Sequence, residues 1–335
     1  MGAGTRRGVT SADVAREVGL SRTTVSFVLN DTPHQKIPDE TRQKVLAAAS
    51  RLGYLPSAAA RALASGRSDV VLCLLPDWPV GPTAGSLLEY LSAAFEASGF
   101  AFVVHPRAHT SRPLSQLWTN ITPAAALAFE DFTDEELASM RAAGVQARVA
   151  MFGRTGAEAG GMTIPEQDVG RLQVEHLAAT GHRTIGYACP DDARLDHLAV
   201  PRFDGARQTC VDLELEEPLR TAVALTIESA VAAVRAFRGA DPPVTAVCAY
   251  NDDVAFALLA ACRALTIAVP EELAVIGVND VPAAAFSAPP LTTIAHDIPA
   301  LAQHIADSVI RTLAGRPPLR RPRSYAAHLV QRSST

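Results

Sequence analysis

Residues 21–30 read Ser-Arg-Thr-Thr-Val-Ser-Phe-Val-Leu-Asn. Short hydroxyl side chains, one guanidinium and a terminal amide on a single helix form a donor and acceptor set that can meet base edges in a major groove. Ser21, Arg22, Thr23, Thr24, Ser26 and Asn30 are therefore candidate base or backbone contacts. A helix start that is merely rich in Ser and Thr has the same residues, so ten positions alone leave both readings open. A second constellation, Asp191-Asp192-Ala193-Arg194-Leu195-Asp196-His197, can be drawn as a metal site but reads as a solvated loop. His176 and His182 read as packing or capping histidines. The chain contains no GxxxxGK[ST], no strand-borne GxGxxG, no GxSxG and no HExxH. With those phosphate-cradling, hydride-transfer, hydrolase and protease signatures missing, no catalytic residue, metal ligand or cofactor is assigned, and no enzyme is expected.

The candidate contacts need helices to hold them. Thr10 can cap a helix over 11–18, with Asp13 near its positive end and Gly19 as its stop. Ser21 can cap a second helix running to about Asn30. The link Gly19-Leu20-Ser21 is the short turn of a helix-turn-helix, packed by Val14, Ala15, Val18, Leu20, Val25, Val28 and Leu29. A third helix is expected from Asp39 to Gly53; Pro38 stands just before it, which leaves Asp39 as the expected cap. After the Leu55-Pro56 break, Ser57 can cap a short helix over 58–64. Two turns are too few to hold alone in water, so its folding must depend on something else.

Beyond residue 70 the pattern becomes short apolar strands alternating with amphipathic helices. Strands are expected near 70–75, 100–105, 124–129, 148–152, 184–188, 221–225, 244–249 and 273–278. Helices are expected over 84–98, 133–143, 168–180, 202–213, 227–238 and 252–265. Such alternation means parallel sheets covered by helices on both faces, with ligands at the carboxyl ends of the strands. Eight strands over some 250 residues suit two sheets, divided near 160–165, with a return to the first lobe near Pro289-Pro290.

The chain has 335 residues, 48% hydrophobic and 19% charged, with a net charge of -5. That charge is uneven: through Ser68 ten basic residues face five acidic ones, so a +5 head precedes a -10 body. A basic head on an acidic body points to a polyanion touched by the head alone. Five scattered cysteines without a C-x-x-C pair read as reduced core residues. No run approaches the length of a membrane span and no leader-like apolar stretch opens the chain, so a cytoplasmic protein without membrane contact is expected.

The runs Val9-Thr10-Ser11-Ala12-Asp13-Val14-Ala15, Gly19-Leu20-Ser21-Arg22-Thr23-Thr24-Val25-Ser26, Val28-Leu29-Asn30, Thr41-Arg42, Val45 and Leu52-Gly53-Tyr54-Leu55-Pro56 resemble the DNA-binding domain of the LacI/GalR transcriptional repressors. Gly181-His182-Arg183-Thr184-Ile185-Gly186, Arg202-Phe203-Asp204-Gly205, Tyr250-Asn251-Asp252, Gly277-Val278-Asn279-Asp280 and Pro290-Leu291-Thr292-Thr293-Ile294 follow in family order. These resemble its type I periplasmic-binding-protein-like effector domain.

The resemblance spans nearly the whole chain. It implies an all-α helix-turn-helix domain (8–56), a hinge helix and linker (57–68), and a two-lobed α/β domain (69–335). The first lobe is expected at about 69–162 plus 291–322, and the second at about 163–290 plus the C-terminal segment. The implied function is an operator-binding regulator, a repressor, acting as a homodimer on pseudo-palindromic double-stranded DNA. A small-molecule effector, a carbohydrate or related metabolite, would control it. Other readings of the α/β scaffold are a solute-binding protein and a sugar- or nucleoside-processing enzyme.

Carried over residue by residue, the DNA contacts are Thr10, Ser21, Arg22, Thr23, Thr24, Ser26, Phe27, Asn30 and Tyr54, with Ala60 and Leu63 of the hinge in the minor groove. The effector residues are Asp77, Trp78, Arg154, Arg202, Asn251 and Asn279. A guanidinium beside two amides suits vicinal hydroxyls or a carboxylate. Three departures stand out in the head: Phe27 replaces a frequent arginine, Pro38 stands where a capping serine or threonine is usual, and the loop from Asp31 to Ile37 is longer; in the body, Asn279 replaces a common aspartate. Leu225 and Ile298 stand where relatives offer aromatic faces to a sugar, and the tail lacks a leucine heptad, which favours dimers over tetramers.

Overall fold

The computed structural model describes residues 9–29, 35–54, 68–107, 114–151, 166–319 and 327–335. Three helices make up the head: α1 (Ser11–Val18), α2 (Arg22–Leu29) and α3 (Asp39–Leu52). The Thr10 backbone N–H and hydroxyl both donate to Asp13 Oδ2, at 2.9 and 2.7 Å, so the carboxylate turns back over the helix start. Gly19 at φ 69° and Gly53 at φ 65° end α1 and α3 in the left-handed conformation that glycine adopts without strain. Ser21 Oγ accepts from Thr24 N at 3.0 Å and caps α2. Val14, Val25 and Val45, one from each helix, are fully buried at the centre. One detail differs from expectation: Pro38, not Asp39, occupies the cap position of α3. Its extended ψ of 143° leads straight into the helix, so Asp39 joins Glu40 inside the first turn, where carboxylates oppose the helix dipole.

The body contains two sheets. The first has strands β1 (Val70–Leu75), β2 (Ala101–Pro106), β3 (Ala125–Ala128) and β4 (Ala147–Ala150), all parallel, in the order β2-β1-β3-β4. One face packs on α4 (Pro82–Ala97); on the other, Trp118 of α5 (Leu114–Ile121) and Met140 of α6 (Asp134–Ala142) are buried. The second sheet is built from β5 (Ile185–Pro190), β6 (Leu219–Val223), β7 (Ala246–Ala249), β8 (Ala274–Val278), β9 (Thr292–Ala295) and β10 (His328–Val330). Their order is β10-β9-β8-β7-β5-β6, parallel except for β10. Helices α7 (Glu166–Ala179) and α8 (Asp196–Asp212) cover one face, and α9 (Ile227–Arg238) and α10 (Asp252–Ala264) the other.

Two expectations change. The segment 291–295 belongs to the second lobe: Thr292, Thr293 and Ile294 pair with Ile276, Gly277 and Val278 of β8. The return to the first lobe comes at α11 (Ile298–Leu313), whose Leu301, Ile305 and Val309 pack on the first sheet. Thr292 and Thr293 are wholly buried because their hydroxyls are satisfied: Thr293 Oγ1 donates to Asp252 Oδ1 at 2.6 Å, and Thr292 Oγ1 accepts from Arg332 N at 3.0 Å. Helix α8 begins six residues before the expected start and runs through Pro201. The expected division near 160–165 lies outside the described residues. All five cysteines are buried and free.

Candidate functional site

On α2, Val25, Val28 and Leu29 face the head core. At about 100° per residue, Thr23 and Phe27 then lie on the opposite side, four residues apart on one outer line, with Ser26 beside them. Arg22 and Thr23 are exposed, and Phe27 is half-buried without joining the apolar cluster of the head. Ser21 is spent as the cap, and Thr24 Oγ1 lies 2.8 Å from Ser21 Oγ. Thr10 is held by Asp13, and Tyr54 packs against the head core. Arg51 of α3 meets Glu17 of α1 at 3.0 Å. The outward side of α2 thus carries hydroxyls and one aromatic ring, with the exposed Arg22 guanidinium at its first residue. Asn30, Ala60 and Leu63 lie outside the described residues.

The second candidate site is a cavity of about 400 Å³ between the lobes. Trp78, Phe129 and Ile298 line it from the first lobe; Arg202, Asn251 and Asn279 line it from the second. Of the six expected effector residues, Trp78, Arg202, Asn251 and Asn279 therefore meet around one space. Asp77 does not line it, although its backbone carbonyl accepts from Arg194 Nη1 at 2.6 Å. Arg154 lies outside the described residues. Leu225 lines the cavity at its edge and is 66% exposed.

Two glycines place Arg202. A Cβ on Gly170 of α7 would stand 1.9 Å from the Arg202 carbonyl oxygen, and one on Gly205 of α8 would stand 2.0 Å from that of Gln167. The helices therefore cross backbone against backbone. That approach lays Glu166, in the first turn of α7, on Arg202, with Nε and Nη2 donating to Glu166 Oε2 at 2.8 and 2.5 Å. Arg202 Nη1 donates to the Tyr250 carbonyl, and the guanidinium carbon lies 4.7 Å from the centre of the Tyr250 ring. Burial opposes the Arg202 charge, but Glu166, Tyr250 and Tyr187 together outweigh that penalty and hold the guanidinium more firmly protonated than usual.

The remaining lining follows from caps and turns. Asn251 caps α10, its Oδ1 accepting from Val254 N at 2.9 Å, which leaves its NH2 as the group able to turn to the cavity. Asn279 holds φ 108° at the end of β8. Asp252 is buried beneath both; burial pushes its carboxyl up to about 6 against the opposing bonds from Thr293 and Val281 N. His296, at the crossing from β9 to α11, is pushed down to about 4 by burial and lines the cavity as a neutral imidazole at pH 7. Trp78 meets the Phe129 ring edge-on at 5.6 Å and donates from Nε1 to Glu130 Oε1 at 3.1 Å.

The loop 191–197, expected to be merely solvated, reaches the other lobe. Arg194 is gripped by Asp192 (Nε to Oδ1 2.9 Å, Nη2 to Oδ2 2.7 Å) while it binds the Asp77 carbonyl, and His197 lies 5.9 Å from Trp78. Among the described residues no group of His, Cys, Asp and Glu is arranged to hold a metal ion. Sequence reasoning missed Glu166, Tyr250, Arg194 and His296. The one available signal was Glu166 standing four residues before a glycine, the spacing that puts both on one helix face.

Residues 10–57 match the family profile described as bacterial regulatory proteins, lacI family, and residues 174–335 match the periplasmic binding protein-like domain. The chain belongs to the LacI/GalR family. Its fold, a helix-turn-helix head followed by a two-lobed α/β body, is the one the sequence led us to expect. Among relatives, the HTH-type transcriptional regulator MalR of Streptomyces coelicolor is 28% identical over 97% of this chain and 96% of its own length. A lac repressor dimer bound to operator and the anti-inducer ONPF shares the fold with TM-score 0.77 and 21% identity, covering 98% of this chain and 99% of that one. A complex of the regulator CelR with cellobiose matches with TM-score 0.65 and 26% identity over 98% of this chain and 100% of that one.

Proposed function

We propose that this LacI/GalR-family chain is a sequence-specific transcriptional repressor, a homodimer acting in the cytoplasm, whose hold on operator DNA is set by a small polyhydroxylated effector in the interlobe cleft. The observation that carries this reading is the pairing of an outward polar face on α2 with an open cleft lined by both lobes. The cellobiose bound to CelR supports a carbohydrate as the effector class. Two α2 helices enter successive major grooves of a pseudo-palindrome, and cationic head residues supply salt-dependent affinity for any duplex. Arg22, Thr23 and Ser26 read base edges, and Phe27 supplies an apolar contact suited to a thymine methyl group. Segment 57–68, with Leu63 as its wedge, folds on the minor groove between the heads.

The cleft controls DNA through closure of the lobes. Arg194 and the Trp78–His197 contact already join them at one rim, and the crossing at His296 lines the cavity itself. A ligand there favours one separation of the lobes and thereby one spacing of the two hinge segments, by as much as its affinities for the two states differ. Selecting bound fragments from the organism's own DNA, with and without candidate metabolites, tests this. Recovery of one pseudo-palindrome whose yield changes with a metabolite is the expected result; fragments without a shared sequence would refute it.

A further inference from the structure

The cleft's charges are unequal. Among the described lining residues Arg202 is the one permanent cation, against the five carboxylates of Glu166, Asp191, Asp192, Asp252 and Asp253, of which Asp192 is paired with Arg194 at the rim. Moreover, Arg202 is already neutralised: Glu166 Oε2 takes two of its five N–H groups and the Tyr250 carbonyl a third. Two N–H groups remain, enough to donate to neighbouring hydroxyls but without an unspent positive charge behind them. We infer that the cleft is built for an uncharged polyhydroxylated ligand, and that Glu166 makes it so by cancelling Arg202 and rejecting phosphorylated and carboxylated counterparts. This rests on the reading of the cleft as the effector site.

The rest of the lining fits the same ligand. A hydroxyl both donates and accepts, so it can use the Asp191 and Asp253 carboxylates as acceptors and the Asn251 amide as a donor. A phosphate or carboxylate only accepts, and would sit among carboxylates with no free cation among the described lining residues to offset it. The aromatic edge of Trp78 and Phe129 offers an apolar wall for the carbon face of a ring. The device depends on the glycine crossing: without the close approach at Gly170 and Gly205, Glu166 would not reach the guanidinium, and Arg202 would stand in the cavity as an open anion receptor.

The test uses the full chain and matched probes, by calorimetry and melting shift. D-glucose, D-galactose, D-ribose and cellobiose are compared with gluconate, glucose 6-phosphate, galacturonate, ribose 5-phosphate and cellobionate, and the uncharged set is widened to the common pentoses, hexoses, disaccharides and nucleosides. Binding is expected among uncharged probes only, with each anionic counterpart at least about a hundredfold weaker. Glu166→Gln keeps the shape and an acceptor oxygen but removes the charge, and should narrow that gap at least about tenfold. An anionic probe that binds wild-type protein as tightly as its uncharged counterpart overturns the inference while leaving the cleft an effector site. A gap unchanged in a folded Glu166→Gln protein removes Glu166 from the explanation. Binding by no probe of either class overturns the effector reading itself, and the charge rule with it. The wild-type comparison decides even if the variant does not fold.

Discussion

The head and the cleft assemble chemistry in opposite ways. On α2 the working side chains come from one eight-residue helix, lie away from its core-facing side, and are fixed by the burial of that side. In the cleft they come from eight separate stretches among the described residues, and are fixed by one another: Glu166 holds Arg202, Asp192 holds Arg194, and Asp252 holds Thr293. Function at the head should therefore tolerate loss of a contact residue without loss of fold. In the cleft, each functional side chain is also part of the packing.

The largest effect expected from this contrast is at Arg202. Arg202→Ala strands the Glu166 carboxylate in a buried site and should lower the stability of the body by about 3 kcal/mol, while abolishing the ligand response and leaving duplex binding in place. Calorimetric melting and a DNA titration measure the two separately. Next come the crossing glycines. Gly205→Ala drives a methyl group into the Gln167 backbone and should cost about 1–3 kcal/mol with a weakened ligand response; an unchanged melting point would show that the helices can part freely.

At the head, Phe27→Ala should change stability little and weaken operator binding by roughly tenfold, consistent with one base contact. Replacing operator thymines one at a time by uracil removes only the methyl group. One position per half-site should lose affinity in the wild-type protein and lose none in Phe27→Ala.

The smallest effect is a pH dependence hidden by cancellation. Asp252 is shifted up to about 6, so its contribution is present below its unfolded value near 4 and is lost as pH rises through about 6. His296 is shifted down to about 4, so the folded state disfavours its protonation, and its contribution is lost as pH falls from 6.5 towards 4. Between pH 4 and 6 the slopes oppose. His296→Gln should leave stability falling as pH rises across that window, and Asp252→Asn should leave it rising, as thermal melts in buffers across the range would show.

The same contrast explains what could be read from the sequence. The head was legible almost residue by residue, because capping, helix stops and periodicity act over three or four neighbours: Thr10, Asp13, Gly19 and Ser21 all take their expected local parts. Pro38 is the exception, since its neighbour Asp39 has the usual cap chemistry but the proline backbone sets the entry to α3. Of the sheets, β9 escaped because Thr292 and Thr293 stand where an apolar run would mark a strand, and β10 because three residues give no periodicity. The cleft was legible only where a motif marked it. Arg202, Asn251 and Asn279 were found through family runs, whereas Glu166 gains its place from a helix crossing that no local pattern records. The 191–197 loop looked solvated because its contact with Asp77 spans 117 residues.

Equilibrium titration of the full chain, at about 150 mM salt, with the selected duplex and with a scrambled duplex of equal length tests the central claim most directly. The account predicts tighter binding to the selected duplex by at least about a thousandfold, with the difference reduced by Thr23→Ala and by Phe27→Ala. Equal affinity for the two duplexes would contradict it, whatever the cleft proves to bind.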